Sequence, residues 1–187
     1  LFIKDQSFGY DKKRSLQLCG EMLKRDWRFS WTAFSRADSL DLELALNMKE
    51  AGCHTLILGV ETANEDLLRK YKPGLTLEKI DNAFKLCKKL KIHTAGTFCI
   101  GFPLETKESI LETIDYAIKS GYDFASFNVF VPKIGTVFEK ESLEDNGVKK
   151  LIDREWDQSG ISSISGNGIV SGEEMSVLLS LANRKFY

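Results

Sequence analysis

Hydrophobic and polar positions repeat one phrase five times along the chain: a short apolar run, a polar or glycine-bearing end, then an amphipathic stretch of helical period. The apolar runs cover Leu1–Lys4, Arg28–Phe34, Thr55–Val60, His93–Ile100 and Phe124–Val131. Each is rich in branched or aromatic residues and too short for a core helix, so each predicts a strand. The stretches between them carry helix signals. Asp11 is placed to cap the first, with Leu16, Cys19 and Leu23 on one face. Asp38 is expected to cap the second, where Leu40, Leu44 and Met48 recur and Gly52 supplies the stop. Asn64 opens a short third helix through Leu67 and Leu68. Thr76 caps a fourth with Leu77, Ile80, Phe84 and Cys87 along one stripe. Thr106 starts a fifth through Ile110, Ile114 and Ile118, closed near Gly121.

Strands that alternate with helices imply a parallel sheet joined by right-handed crossovers. Five units are too few for a closed eight-stranded barrel. The expected class is therefore α/β, a partial (βα) barrel with about five parallel strands and a helical C-terminal tail. After Val131 the rhythm breaks. Residues 139–156 are charged and read as helical in part, and 157–168 read as a loop or hairpin. A last helix begins at Ser171, where Ser171 and Glu174 form a capping box ahead of Met175, Leu178, Leu179 and Ala182. The whole is read as one domain, with five βα units in 1–136 and a C-terminal appendix in 137–187.

Composition narrows the function classes. Among 187 residues, 43% are hydrophobic and 28% charged, which is globular usage and excludes a disordered chain. With 26 Lys plus Arg against 27 Asp plus Glu, the net charge of −1 argues against nucleic acid as the main partner. No apolar run approaches the ~18 residues of a membrane span, and there is no signal peptide, so a cytoplasmic protein without a membrane partner is expected. Cys19, Cys53, Cys87 and Cys99 are widely spaced among apolar neighbours. They read as reduced thiols, not as a metal site with His54 and His93. The start at Leu1-Phe2-Ile3 without a Met, and the stop at Phe186-Tyr187, suggest a piece of a longer protein.

Parallel α/β folds bind ligands at the carboxyl ends of their strands. Just past the expected strands stand Asp5-Gln6-Ser7, Ser35-Arg36, Glu61-Thr62, Gly101-Phe102-Pro103 (reached through Thr97) and Pro132-Lys133. That mix of anion, amide, cation and glycine suits a small zwitterionic or hydroxyl-bearing substrate. Plainer readings compete. Asp5 can begin a turn, Arg36 can pair with Asp38 or Asp41, and Gly101-Phe102-Pro103 can be a tight turn alone. Glu61 is the sharpest candidate, because it follows the apolar run Leu56 to Val60 and a carboxylate there needs partners. Gly166-Asn167-Gly168 lacks the strand and helix that a phosphate loop requires. His54 and His93 fall at strand starts, the face that carries stability.

The ordered set of segments resembles the core of radical S-adenosylmethionine enzymes, above all the subgroup that often carries an N-terminal cobalamin-binding domain. The segments are Ile3 to Phe8 with Asp11 and Arg14; Trp31 with Arg36-Ala37-Asp38; Ala51-Gly52-Cys53 leading to Gly59-Val60-Glu61-Thr62; Lys72 before Gly74 and Thr76; Ile100 to Pro103 with Glu105-Thr106; Pro132 with Gly135-Thr136; and Phe186-Tyr187. The resemblance implies a partial (βα)6 barrel that binds S-adenosylmethionine and a [4Fe–4S] cluster, with cobalamin possible through an upstream domain. It assigns Asp5 and Gln6 to the methionine amino group and Arg36 or Lys72 to its carboxylate. Glu61 falls to the ribose hydroxyls. Backbone around Ile100 to Pro103, hence Gly101 and Pro103, lines the adenine, with Thr97 facing inward. The family's C-x-x-x-C-x-x-C loop is absent from this sequence, the usual acidic pair is Asp5-Gln6, and Ile134 stands where Pro is frequent.

The expected function is thus a fragment of a radical S-adenosylmethionine oxidoreductase or methyltransferase that is inactive alone. Its first strand would be the family's second, with an edge free to self-associate with another copy. Two rivals are an aldolase- or lyase-like barrel piece using Glu61 and Asp5, and a non-enzymatic small-molecule-binding or interaction module.

Overall fold

The computed structural model describes residues 1–25, 27, 29–131 and 167–187. Five strands form one sheet: β1 (Phe2–Ile3), β2 (Trp31–Arg36), β3 (Cys53–Glu61), β4 (His93–Ile100) and β5 (Phe124–Val129). Every neighbouring pair is parallel and the spatial order is the sequence order. An unbroken order of this kind, with right-handed crossovers, puts all the helices on one face and leaves the other face as a lumen. The partial barrel expected from the sequence is what forms.

The helices are α1 (Lys12–Lys24), α2 (Leu42–Glu50), α3 (Glu65–Tyr71), α4 (Leu77–Lys89), α5 (Lys107–Ser120) and α6 (Gly172–Phe186). The side chains of Asp11, Asn64, Thr76, Thr106 and Ser171 each accept an amide hydrogen at a helix start, as their sequence positions imply. Gly121 closes α5 in the left-handed conformation. At α2 the expectation fails. Asp38 lies in a 3₁₀ turn, Ala37–Ser39, and Asp41 is the cap, accepting from Leu44 N–H. Asp38 is taken instead by Arg36.

Burial alternates along the strands. Trp31, Ala33 and Ser35 of β2, and Leu56, Leu58 and Val60 of β3, point at the helices. Against them pack Cys19 and Met22 of α1, Leu44 and Met48 of α2, Ile80 and Cys87 of α4, Ile110 and Ile114 of α5, and Met175 and Leu178 of α6. Full burial of such side chains contributes about 1.5–3 kcal/mol each. Leu23 and Ile118, expected on buried stripes, are 43% and 37% exposed, and Met22 and Ala117 take the inward places.

β2 begins at Trp31 and not at Arg28, because Phe2 and Cys53 flank it only from Thr32 and Trp31 onward. The Trp31 indole donates to the Ala51 carbonyl at 2.7 Å. Gly52, with φ +96°, lets the chain pass there; a Cβ would stand 2.4 Å from the Phe29 carbonyl oxygen. At the other edge, the Tyr187 hydroxyl donates to the Ala125 carbonyl at 2.9 Å and accepts from the Ala125 N–H at 3.3 Å. Pro132, Lys133, Ile134, Gly135, Thr136, the 139–156 stretch expected to be helical in part and most of 157–168 lie outside the described residues.

Candidate functional site

The carboxyl ends of β1 to β4 surround a cavity of about 500 Å³, within the range of small-ligand sites. Asp5, Gln6, Arg36, Glu61, Lys72 and Thr97 all line it. Four separate elements and their loops bring these six together. Arg36, Gly59 and Thr97 are register partners across β2, β3 and β4, so the glycine leaves a side-chain-free floor between a guanidinium and a hydroxyl. Below this level lie Phe34 and Ile57, also register partners and also in the lining.

Each charged group has a protein partner. Arg14 Nη1 lies 2.7 Å from Asp5 Oδ2, and this contact holds the Asp5 carboxyl below its ordinary range. Arg36 donates through Nε and Nη2 to the two oxygens of Asp38, at 2.8 and 2.6 Å. That fork lowers Asp38 and raises Arg36. Lys72 Nζ stands 2.9 Å from Glu61 Oε1. Of the plainer readings, the Arg36–Asp38 pair is therefore real, but the same guanidinium also lines the cavity. Asp41 bonds Lys12 and not Arg36.

Glu61 closes β3 with φ +71°, a left-handed conformation that is uncommon for a residue with a side chain. The ladder slips at this point, between Gly59 and Glu61. Thr97 Oγ1 donates to the Leu58 carbonyl at 3.3 Å and is half-buried.

Gly101 and Pro103 stand outside the cavity lining, in the turn after β4. Glu105, 3% exposed, accepts from the amides of Gly101 (2.7 Å) and Phe102 (3.1 Å) and from the Ser109 hydroxyl (3.1 Å). Burial nevertheless pushes its carboxyl up. Asn64 Nδ2 reaches Ser109 at 3.2 Å, while Thr62 and Thr113 share a hydroxyl contact at 3.1 Å, so the end of β3 is laced to α5 and, through Ser109 and Glu105, to the turn after β4. Asn167 completes this lacing. Its side-chain amide donates to the Phe102 and Glu105 carbonyls, both at 2.8 Å, and its carbonyl accepts from Ile169 and Val170 N–H. Asn167 is thus a clamp on the β4 turn. Sequence reading missed Ser109 and Thr113, although polar residues four apart on the Ile110–Ile114 face were a signal. It also missed Tyr10, which lines the cavity.

The residues present do not fit an iron–sulfur cluster. Cys19, Cys53 and Cys87 are buried on three elements and Cys99 on a fourth, all unbridged. Burial raises their thiols to about 11 for Cys19 and about 12 for the others. Among the described residues no three His, Cys, Asp or Glu side chains are grouped to hold a metal ion. Nor is any described helix long and apolar enough to cross a membrane.

A family model described as the Radical SAM superfamily matches residues 8–117. An uncharacterized methyltransferase of Pyrococcus horikoshii is 33% identical over 98% of this chain and 39% of its own length. The radical S-adenosylmethionine methyltransferase TsrM from Kitasatospora setae, solved with cobalamin and a [4Fe-4S] cluster bound, superposes with a TM-score of 0.63. It is 20% identical, over 68% of this chain and 27% of its own. OxsB, a cobalamin-dependent S-adenosylmethionine radical enzyme, gives 0.55 at 19% identity, over 98% of this chain and 28% of its own. The chain spans about two fifths or less of the length of these proteins.

Proposed function

The chain belongs to the Radical SAM superfamily, and from that membership we propose that residues 1–187 form the S-adenosylmethionine cradle of a larger methyltransferase or related iron–sulfur oxidoreductase. One observation carries the reading. Six side chains, from β1, β2, β3 and β4 and their loops, converge on a single cavity at the strand ends, and their chemistry matches the ligand's parts. S-adenosylmethionine supplies either a methyl group or, with an iron–sulfur cluster, the carbon radical that takes hydrogen from a substrate.

The chain's own residues bind and orient. Asp5 and Gln6 accept from the methionine ammonium, with Asp5 kept ionised by Arg14. Arg36 receives the carboxylate; its Asp38 fork fixes the guanidinium plane and leaves Nη1 to the ligand. Glu61 accepts from the ribose hydroxyls, which a single carboxylate can do twice. Thr97 faces the adenine side; Gly101 and Pro103, outside the cavity lining, take no part in the contact. The cluster's ligands fall outside this chain, in keeping with the fraction of its relatives that it spans. Cobalamin, bound by TsrM and OxsB, would belong to a further part of the whole protein. Four unbridged thiols support a reducing, cytoplasmic setting.

Titration of the whole protein with S-adenosylhomocysteine tests this. Glu61→Ala should weaken binding by about 1.5–3 kcal/mol, the scale of hydrogen bonds to a charged group. Unchanged affinity would remove Glu61 from the site. The lyase-like alternative has no observation in its favour, since Asp5 and Glu61 are each held by a cation.

A further inference from the structure

We propose that Lys72 is the positioning residue for Glu61, acting on the ribose side of the cavity, and does not bind the ligand's carboxylate. This rests on Glu61 as the ribose ligand, as proposed above.

Three features aim the Glu61 carboxylate. Gly59 pairs with Thr97, but the next ladder partner of β4, Phe98, meets Glu61 and skips Val60. Such a bulge re-aims the side chain that follows it. Glu61 itself adopts φ +71°, a conformation that a glutamate holds only when its surroundings over-determine it. The carboxylate then folds back over the strand, so close to Gly59 that a Cβ there would stand 3.0 Å from Oε1. The same Oε1 lies 2.9 Å from Lys72 Nζ. One oxygen is thus held between a bare strand and an ammonium, and the other is left for a ligand.

Lys72 is built for a fixed task. It ends α3, where its N–H donates to the Leu68 carbonyl at 2.8 Å, and its own carbonyl accepts from Leu75 at 3.0 Å. Both backbone groups are anchored, so the stem leaves the chain in one direction. If the ammonium swung to a ligand carboxylate, Glu61, only 23% exposed, would lose the cation in contact with it and keep only the more distant Arg36, which Asp38 already holds. Arg36 has no such conflict, because Asp38 holds two of its nitrogens and a third remains.

Two probes separate the roles: 5′-methylthioadenosine, which has the nucleoside and no amino acid, and S-adenosylhomocysteine, which has both. Each is titrated into the whole protein. Lys72→Met should weaken both probes by the same factor, about five- to tenfold, the net scale of one ordinary hydrogen bond, because Lys72 acts only through Glu61. Lys72→Arg should recover most of this, and Lys72→Met should add nothing on a Glu61→Gln background. A loss confined to S-adenosylhomocysteine makes Lys72 the carboxylate ligand and overturns the proposal. So does unchanged binding of both probes. If Glu61→Gln leaves 5′-methylthioadenosine binding intact, the ribose assignment itself fails, whatever Lys72 does. Failure of both probes to bind the unaltered protein overturns the cradle and this inference together.

Discussion

The side-chain amide of Asn167 donates to the carbonyl of Phe102 at 2.8 Å, across 65 positions of sequence. Asn167 is 5% exposed, and its side chain makes four hydrogen bonds with nothing left over. Asn167→Ala should therefore cost about 1–3 kcal/mol, because two buried carbonyls and two amides lose their partner. Asn167→Asp should cost more, since it turns an acceptor oxygen toward the same two carbonyls. Urea denaturation of the three proteins measures both. An aspartate variant as stable as the parent would refute the clamp.

Glu105 makes a pH signature. Burial raises its carboxyl above the ordinary 4.5, against the pull of the Gly101 and Phe102 amides and Ser109. An acid raised in the folded state binds a proton there more readily than in the unfolded chain. Its contribution is whole below pH 4.5 and is lost as pH rises through the folded value. The stability difference between the parent and Glu105→Gln should accordingly shift in favour of the glutamine as pH increases over that window. A difference independent of pH across pH 4–8 would contradict the assignment.

The thiols should be silent. With pKa values at about 11 or 12, all four are protonated at pH 8, and three are buried. An aromatic disulfide reagent is expected to titrate them slowly in the native chain and at once in denaturant. Anaerobic reconstitution of residues 1–187 with iron and sulfide should leave no cluster absorbance after desalting. A stoichiometric cluster lost on mutating any of these cysteines would overturn the reading.

Self-association is expected through β1. The strand has two residues, of which Phe2 is 42% exposed, and Leu1 before it is 71% exposed. Unpaired strand edges with apolar neighbours recruit other strands. Light scattering should show dimers that Phe2→Lys weakens; a monomer at high concentration would dismiss the idea.

What the sequence made legible was local or periodic. Asp11, Asn64, Thr76, Thr106 and Ser171 cap their helices because a cap is fixed by three or four consecutive residues. Asp38 and Asp41 lie three apart, so the cap rule fits either; the Arg36 fork, a side-chain contact two residues away that the cap rule does not consider, takes Asp38 out of contention. Asp5, Arg36, Glu61 and Thr97 could be picked out because parallel topology gathers strand ends. Their partners could not all be named that way. The Glu61–Lys72 contact depends on how a short helix folds back, and Asn167 meets Phe102 only after the chain has left β5 and returned.

The Tyr187 hydroxyl that both gives to and takes from Ala125 gives the sheet a direction. Where a sixth strand would dock on β5, one phenol already occupies the donor–acceptor pair of Ala125 and acts as a stopper at that rung. β1 carries no such stopper among the described residues. Of the two edges of the sheet, the cavity therefore sits nearer the one that lacks this contact, since β1 to β4 line it and Tyr187 caps β5.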